Sequence, residues 1–300
     1  MARPRSTPSP AIPVARSRID LDATLRSGQA FCWQWADGEW RGWIGDVPCA
    51  IAAEADRWQV RSLGPALPAA AVERYFGLDL DLEAILASFP DDPWLARARA
   101  HAPGLRLLAQ EPWETLASFI CSAVKQIPQI EEINRALRRE FGVEVAPGLY
   151  AFPTPAALAE AGEAALRRCK LGFRARGLHE TARRVAAGEL DLARLHALST
   201  AAAREALVGL RGVGPKIADC VLLFAYRRSD AFPIDVWVER VLRQLYFRRR
   251  RVAPERLRRF PAAHFGPHSG YAQQYLFHWV RTARPAEAFP TKPSRRPKRK

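Results

Sequence analysis

Between Ile19 and Ser62 apolar and polar residues alternate in short runs: SGQAFCWQW, then ADGEWRGWIG, then AIAAEADRWQV. Successive side chains of a strand point to opposite faces, so the alternation carried by Trp33/Trp35, Trp40/Trp43 and Val60 predicts short antiparallel strands. Asp37-Gly38 predicts a hairpin turn between two of them. From about Pro68 the spacing of apolar residues becomes helical. Helices are predicted over 68–76, 80–89, 113–126, 128–141, 155–168, 173–187, 200–209, 215–228, 235–246, 254–264 and 270–282. Pro, Gly and Asp/Ser/Thr stand where those helices should start and stop. No internal repeat of fixed period is present. The pattern therefore gives an α+β fold class, a small N-terminal antiparallel β-sheet region followed by a mainly α-helical body. The predicted boundaries are a disordered basic tail over 1–16, the β-sheet region with flanking helices over 17–110, the helical region over 111–283, and a second disordered basic tail over 284–300.

Composition narrows the class without naming it. A chain of 300 residues that is 48% hydrophobic and 26% charged can bury a core and is not disordered throughout. No apolar run approaches the ~18 residues of a membrane span, so no membrane partner is expected. The five cysteines (Cys32, Cys49, Cys121, Cys169, Cys220) are odd in number, scattered, and form no C-x-x-C pair. They fit a reducing compartment and give no ligand pattern for a metal or iron–sulfur centre. A soluble intracellular protein is expected.

The net charge of +15 is unevenly placed. Residues 1–19 hold four arginines and no acid, and residues 284–300 hold seven basic residues against Glu287. Residues 240–259 carry nine arginines against Glu255, and the rest of the chain is close to neutral. A near-neutral body with one basic stripe and two basic tails suits a strand of phosphates, although a solvated charged helix reads the same way on charge alone. Cations are written almost wholly as arginine: only six are lysine, and before residue 292 only Lys125, Lys170 and Lys216. Lysine does what arginine cannot, because a desolvated amine gives up its proton and becomes a nucleophile.

The informative stretch is LVGLRGVGPKIADCVLLFAYRRSDAFPIDVWVERVLRQLY, residues 207–246. Gly212-Val213-Gly214 separates two helical patterns, and the second helix opens at Pro215, a favoured first-turn residue. A helix–GVG–helix hairpin turns the free N–H groups of a helix start outward, where they can hold a phosphate. Alone, the hairpin is also an ordinary helix–helix turn, Asp235 is an N-cap, and Lys216 is a solvated or phosphate-pairing cation. Together, Lys216 and Asp235 put an amine and a carboxylate at two adjacent helix starts facing one cleft.

LRGVGPKIADC followed by FPIDVWV resembles the helix–hairpin–helix, Gly/Pro-rich loop and Asp signature of the HhH-GPD DNA glycosylase superfamily, and the lysine resembles the mark of its bifunctional members. SGQAFCW (27–33), EPWETLASFICS (111–122), LGFRARGL (171–178) and GYAQQYLF (270–277) are similar, in the same order, to segments of the 8-oxoguanine DNA glycosylases. The resemblance spans roughly residues 19–282. It implies a base-excision-repair DNA glycosylase and AP lyase that flips a damaged base out of double-stranded DNA, excises an oxidised purine, and works as a monomer without a cofactor. It also implies a divergent bacterial branch, hence a cytoplasmic, nucleoid-associated protein, or a nuclear one in a eukaryote.

On the same resemblance Lys216 attacks C1′ and forms a Schiff base, while Asp235 stabilises the cationic sugar and orients the amine. A nearby carboxylate favours a charged amine, so desolvation must outweigh it or proton loss must follow substrate binding. Gly28 offers its carbonyl to the lesion's N7–H, Gln273 reads the Watson–Crick edge, and Phe277 and Cys220 sandwich the base. Gly212 and Gly214 hold the DNA backbone, Phe173 is the aromatic wedge, and Arg174 faces the orphaned opposite base. The pattern departs from the familiar eukaryotic enzymes in SAVKQIPQ, residues 122–129. Val124, Lys125 and Gln126 replace a run of asparagines and Gln129 replaces an arginine, which puts a preference for cytosine opposite the lesion in doubt. Trp237 stands where those enzymes carry a histidine. Two alternatives remain: a monofunctional alkylated-base glycosylase, against which Lys216 speaks, and a non-catalytic helix–hairpin–helix DNA-binding protein. A metal-dependent nuclease is disfavoured because the six histidines show no ligand spacing.

Overall fold

The computed structural model describes residues 11–247, 252–284 and 288–289. A five-stranded antiparallel sheet forms first, from β1 (Ile12–Ala15), β2 (Gln34–Ala36), β3 (Glu39–Ile44), β4 (Val47–Glu54) and β5 (Arg57–Ser62). Its order is β1-β5-β4-β3-β2. The Asp37-Gly38 turn that joins β2 to β3 has positive φ at both residues, 53° and 81°, which matches the twist that a two-residue hairpin needs. One sheet face buries Trp40, Ile51, Trp58 and Val60 against Val72 and Tyr75 of α2 (Ala69–Tyr75).

The predicted strand around residues 27–33 is not one. Asp20 accepts a hydrogen bond from Ala23 N and caps a short helix, α1 (Leu21–Arg26), after which residues 27–33 run as bends. The buried aromatic positions there come from irregular packing rather than a pleat. Residues 12–15, expected within a disordered tail, pair with β5 from Ile12↔Val60 to Ala15↔Arg57. Residues 1–10 of that tail lie outside the described residues.

Helices α3 (Leu82–Ala87) and α4 (Pro93–His101) lead into the body. The body comprises α5 (Pro112–Cys121), α6 (Ile127–Phe141), α7 (Pro155–Leu166), α8 (Arg174–Ala186), α9 (Thr200–Val208), α10 (Pro215–Phe224), α11 (Val236–Val241), α12 (Pro254–Phe265) and α13 (Ser269–Thr282). The predicted helix 113–126 stops at Cys121, and residues 122–126 form a loop. The predicted helix 235–246 is α11 followed by a wider turn over Leu242–Tyr246. Neither α4 nor the small hairpin β6 (Glu144–Ala146) and β7 (Leu149–Tyr150) is legible from spacing. Four of the nine arginines in the basic stripe, 248–251, lie outside the described residues, as does most of 284–300. Ala288 is nonetheless buried and Phe289 lies under the Arg240 guanidinium at 4.4 Å, so that tail is not structureless throughout.

A buried amide joins sheet region to body. Gln29 Nε2 donates one hydrogen to Arg106 O (2.9 Å) and the other toward Thr24 O and Ser27 Oγ, each at 3.0 Å, and its Oε1 accepts from Leu108 N (2.8 Å). Gln110 Nε2 donates back to Gln29 O (2.7 Å), and Gln110 N to Phe224 O of α10 (2.8 Å). Substituting Gln29→Leu leaves the Arg106 carbonyl and Leu108 amide unpaired in the interior, and each such group costs about 1–3 kcal/mol. The expected loss is about 2–5 kcal/mol of unfolding free energy, read as a lowered denaturant midpoint; an unchanged midpoint would show that the clamp is dispensable.

Candidate active site

The hairpin between α9 and α10 is built as its glycines require. Gly212 has φ +82°, a conformation costly for any side chain, and Gly214 caps α10 with open space where a Cβ would stand. Val213 anchors the turn from inside. The first amides of α10 therefore face outward beside a bare backbone. Lys216 sits in this first turn, half-buried, with Nζ 5.3 Å from the centroid of the Phe119 ring. Of the other two lysines picked out by the arginine bias, Lys170 pairs with Glu132 at 2.5 Å and Lys125 lies in the 122–126 loop.

Cys220 follows one turn after Lys216 on the same face and is buried. Burial pushes its thiol up to about 12, against the opposing pull of the Lys216 cation, so it is a neutral apolar wall and not a thiolate. Asp235 caps α11: its Oδ1 accepts from Val238 N at 2.8 Å. Burial raises its carboxyl above the ordinary aspartate value, while the Val238 and Trp237 amides and the Lys216 and Arg281 cations pull it back down. The cap reading and the cleft-carboxylate reading thus hold together, because one oxygen serves the helix and the group remains in the field of Lys216.

α13, which packs against α11, carries the remaining predicted base-contacting residues. Gln273 is 4% exposed, and its Oε1 has no hydrogen-bond partner among the described residues. Phe277 follows four residues later on the same face. The neighbouring Gln274 Nε2 donates to Ser27 O at 2.9 Å and so docks the bend at residue 28 onto α13. Gly28 is in the left-handed region at φ +74°, and a Cβ there would stand 2.6 Å from Ile127 Cδ1 and 3.5 Å from Phe277 Cε1. Glycine is therefore required both by its conformation and by the closeness of the wall. Gly28 meets Phe277 directly, and the field of Lys216 reaches both Cys220 and Asp235.

The predicted DNA-facing residues divide into two groups. Phe173 is 67% exposed at the start of α8, and Trp237 is exposed beside Asp235 with Val236. Arg174 turns inward. It is buried, stacked on Phe173 at 4.3 Å, and donates to the carbonyls of Ala123, Val124 and Leu171. With Nε and Nη2 on the Ala123 and Val124 carbonyls and Nη1 on the Leu171 carbonyl, it holds the 122–126 loop. Val124, the residue it pins, has φ +55°, strained for a β-branched side chain, and is 91% exposed. Gln126 and Gln129 are also partly committed: Gln126 N donates to Gln129 Oε1 at 3.1 Å, closing the start of α6. Spacing gives no hint of Phe119 beneath Lys216, nor of Arg281 one turn beyond Phe277.

Among the described residues no group of His, Cys, Asp and Glu side chains is arranged to hold a metal ion, and no helix is long and apolar enough to cross a membrane. Residues 11–116 match the 8-oxoguanine DNA glycosylase N-terminal domain, and residues 117–261 match the HhH-GPD superfamily of base excision DNA repair proteins. The chain is 32% identical over 298 residues to a probable N-glycosylase/DNA lyase of Methanothermobacter thermautotrophicus, covering 88% of this chain and 94% of that one. Its fold superposes on the Clostridium acetobutylicum 8-oxoguanine glycosylase/lyase, solved with double-stranded DNA containing cytosine opposite 8-oxoguanine. The TM-score is 0.85 at 30% identity, over 92% of this chain and 97% of that one. A structure of MBOgg1 with a low-affinity DNA ligand gives the same TM-score at 34% identity, over 94% and 99% of the two chains. A helix–hairpin–helix unit followed by an aspartate-capped helix, on a fold and a sequence matched over almost the whole chain, places the protein in the HhH-GPD superfamily of base excision DNA repair proteins, with an 8-oxoguanine DNA glycosylase N-terminal domain.

Proposed function

We propose that the protein is a bifunctional DNA glycosylase and AP lyase that removes an oxidised purine, 8-oxoguanine first among them, from double-stranded DNA. The observation that carries the reading is the placement of Lys216 in the first turn of α10 and of Asp235 as the cap of α11, near enough for the Lys216 charge to act on the carboxyl, with Gly28 packed close to Phe277. The Gly212–Gly214 hairpin holds the phosphates beside the lesion through outward amides. A base extruded from the stack enters between the α10 and α13 walls and excludes water, the condition under which an amine gives up its proton. The Lys216 nitrogen then forms a bond to C1′ as the bond from C1′ to the base breaks, and the base leaves with that electron pair and takes up a proton. Asp235 faces the positive charge that develops on the sugar. The amine linkage rearranges to a Schiff base, loss of the 2′ proton follows, and the 3′ phosphate departs by β-elimination.

Recognition divides along the same walls. The Gly28 carbonyl accepts from N7–H, which an oxidised purine has and guanine lacks. Gln273 meets the Watson–Crick edge with its unpartnered amide, and Phe277 and Cys220 lie against the faces of the base. Phe173 fills the gap in the stack, with Arg174 as its support and as the pin of the 122–126 loop. Val124 at the tip of that loop offers no hydrogen bond to the opposite base, which supports weak discrimination among opposite bases. A non-catalytic DNA-binding protein has no use for an amine and a carboxylate at the two helix starts.

The test is borohydride trapping together with strand nicking on duplexes carrying 8-oxoguanine. Lys216→Ala is expected to abolish both while duplex binding persists; nicking that survives would assign the nucleophile elsewhere. Asp235→Asn keeps an oxygen that can cap α11 and is expected to slow base excision about 100-fold or more, whereas an unchanged rate would leave Asp235 as a cap only. Because burial raises the Asp235 carboxyl, its anion is lost on acidification sooner than an ordinary aspartate's. Excision should therefore fall on an acidic limb centred above the ordinary value of about 3.9; a pH-rate profile flat down to that value would contradict the assignment.

A further inference from the structure

The site-facing side of α13 does not end at Phe277. Gln273, Phe277 and Arg281 follow at intervals of four and lie along one side of the helix. The Arg281 guanidinium stands 4.9 Å from the Phe277 ring centroid, and its Nη1 lies 3.4 Å from where a Cβ on Gly28 would be. Asp235 acts on it through its charge. Nη1 is buried and has no hydrogen-bond partner among the described residues, and Gln273 Oε1 on the same helix is in the same condition. A buried unmade donor on a charged group is costly, and proteins retain one chiefly where another molecule completes it. Here a donor and an acceptor, two turns apart on one helix, flank the aromatic face of the base pocket.

We infer that Arg281 is a specificity-determining residue of the base pocket, whose guanidinium donates to an oxygen carried beside N7 of the extruded purine and thereby selects neutral oxygenated purines over cationic alkylated ones. The inference rests on the reading that Gly28 accepts the N7 proton. On an 8-oxopurine the N7–H is flanked by the oxygen at position 8, and on guanine-type bases also by the oxygen at position 6. A guanidinium nitrogen so close to Gly28 reaches that edge. A charge-assisted donor to one of these oxygens, beside the Gly28 carbonyl at N7, is worth more than a neutral one. An N7-alkylated purine brings a positive ring toward a fixed cation and has no proton for Gly28, so the same residue that attracts one class repels the other. A purely structural Arg281, serving only as an ion-pair partner of Asp235, would affect every substrate alike.

The experiment measures three rates in single turnover on duplexes of one sequence: excision of 8-oxoguanine, excision of 7-methylguanine, and nicking at a preformed abasic site. The parent protein is compared with Arg281→Met, which keeps an apolar stem over Phe277 but loses charge and donors, and with Arg281→Lys. In Arg281→Met the ratio of 8-oxoguanine excision to abasic-site nicking is expected to fall about 10- to 100-fold. The ratio of 7-methylguanine to 8-oxoguanine excision should rise, and Arg281→Lys should recover part of the loss. Rates that fall equally on all three duplexes, or that do not fall, overturn the inference, since the abasic duplex has no base to contact and reports folding and the Lys216 chemistry alone. A parent protein that nicks abasic sites but leaves 8-oxoguanine in place overturns the oxidised-purine reading and this inference with it, whereas an active parent with unaltered ratios in the variant overturns this inference alone.

Discussion

The site depends on how the bend at residues 27–29 is held. It carries no regular hydrogen bonding of its own, and three side-chain amides fix it instead: Gln29 within the interior, Gln110 to the Gln29 carbonyl, and Gln274 to the Ser27 carbonyl. Buried amides of this kind are expensive to leave unmade and specific in direction when made. Their effect is to bring Gly28, from the N-terminal region, against Phe277, near the C-terminal end of the chain. The approach of two ends of the sequence thus follows from one polar network in an otherwise apolar seam.

Across the pocket, the fold places charge by helix geometry. Lys216 is in the first turn of α10 and Asp235 is the cap of α11, so backbone amides that must be satisfied in any case define where the reactive groups stand. The electrostatic balance is uneven. Asp235 is desolvated and its carboxyl is raised, while two cations and two amides oppose that shift. Cys220 is buried enough to remain a thiol beside a cation and contributes shape, not charge.

Much of this is readable in the amino-acid sequence, for definite reasons. The glycines of the hairpin, Lys216 and Asp235 are local features whose spacing is set by one helix–turn–helix unit, and the rarity of lysine among 46 basic residues is enough to single out Lys216 as one of three candidates. Strand alternation finds β3, β4 and β5, because a half-buried sheet imposes a period of two. It misreads residues 27–33, where aromatic residues are buried by a bend docked on distant amides, a long-range cause that periodicity does not register. It also reads 12–15 as tail, because pairing with β5 supplies the order that a Pro-containing tetrapeptide lacks by itself. The inward contacts of Arg174 are not legible in the sequence. Nothing in LGFRARGL says that its guanidinium turns inward to the carbonyls of a loop some fifty residues earlier. Arg281 escapes the sequence for the converse reason, since its importance lies in an unmade hydrogen bond, visible only once the pocket has walls.

The account stands or falls on Lys216 as the residue that joins the DNA. The most direct measurement reduces the complex of the full chain and an 8-oxoguanine duplex with borohydride, digests the protein and the DNA, and locates the nucleotide remnant by mass spectrometry. The account predicts one modified site, Lys216. A remnant on Lys125, on Lys170 or on the N-terminal amine, or no remnant despite strand cleavage, would contradict it.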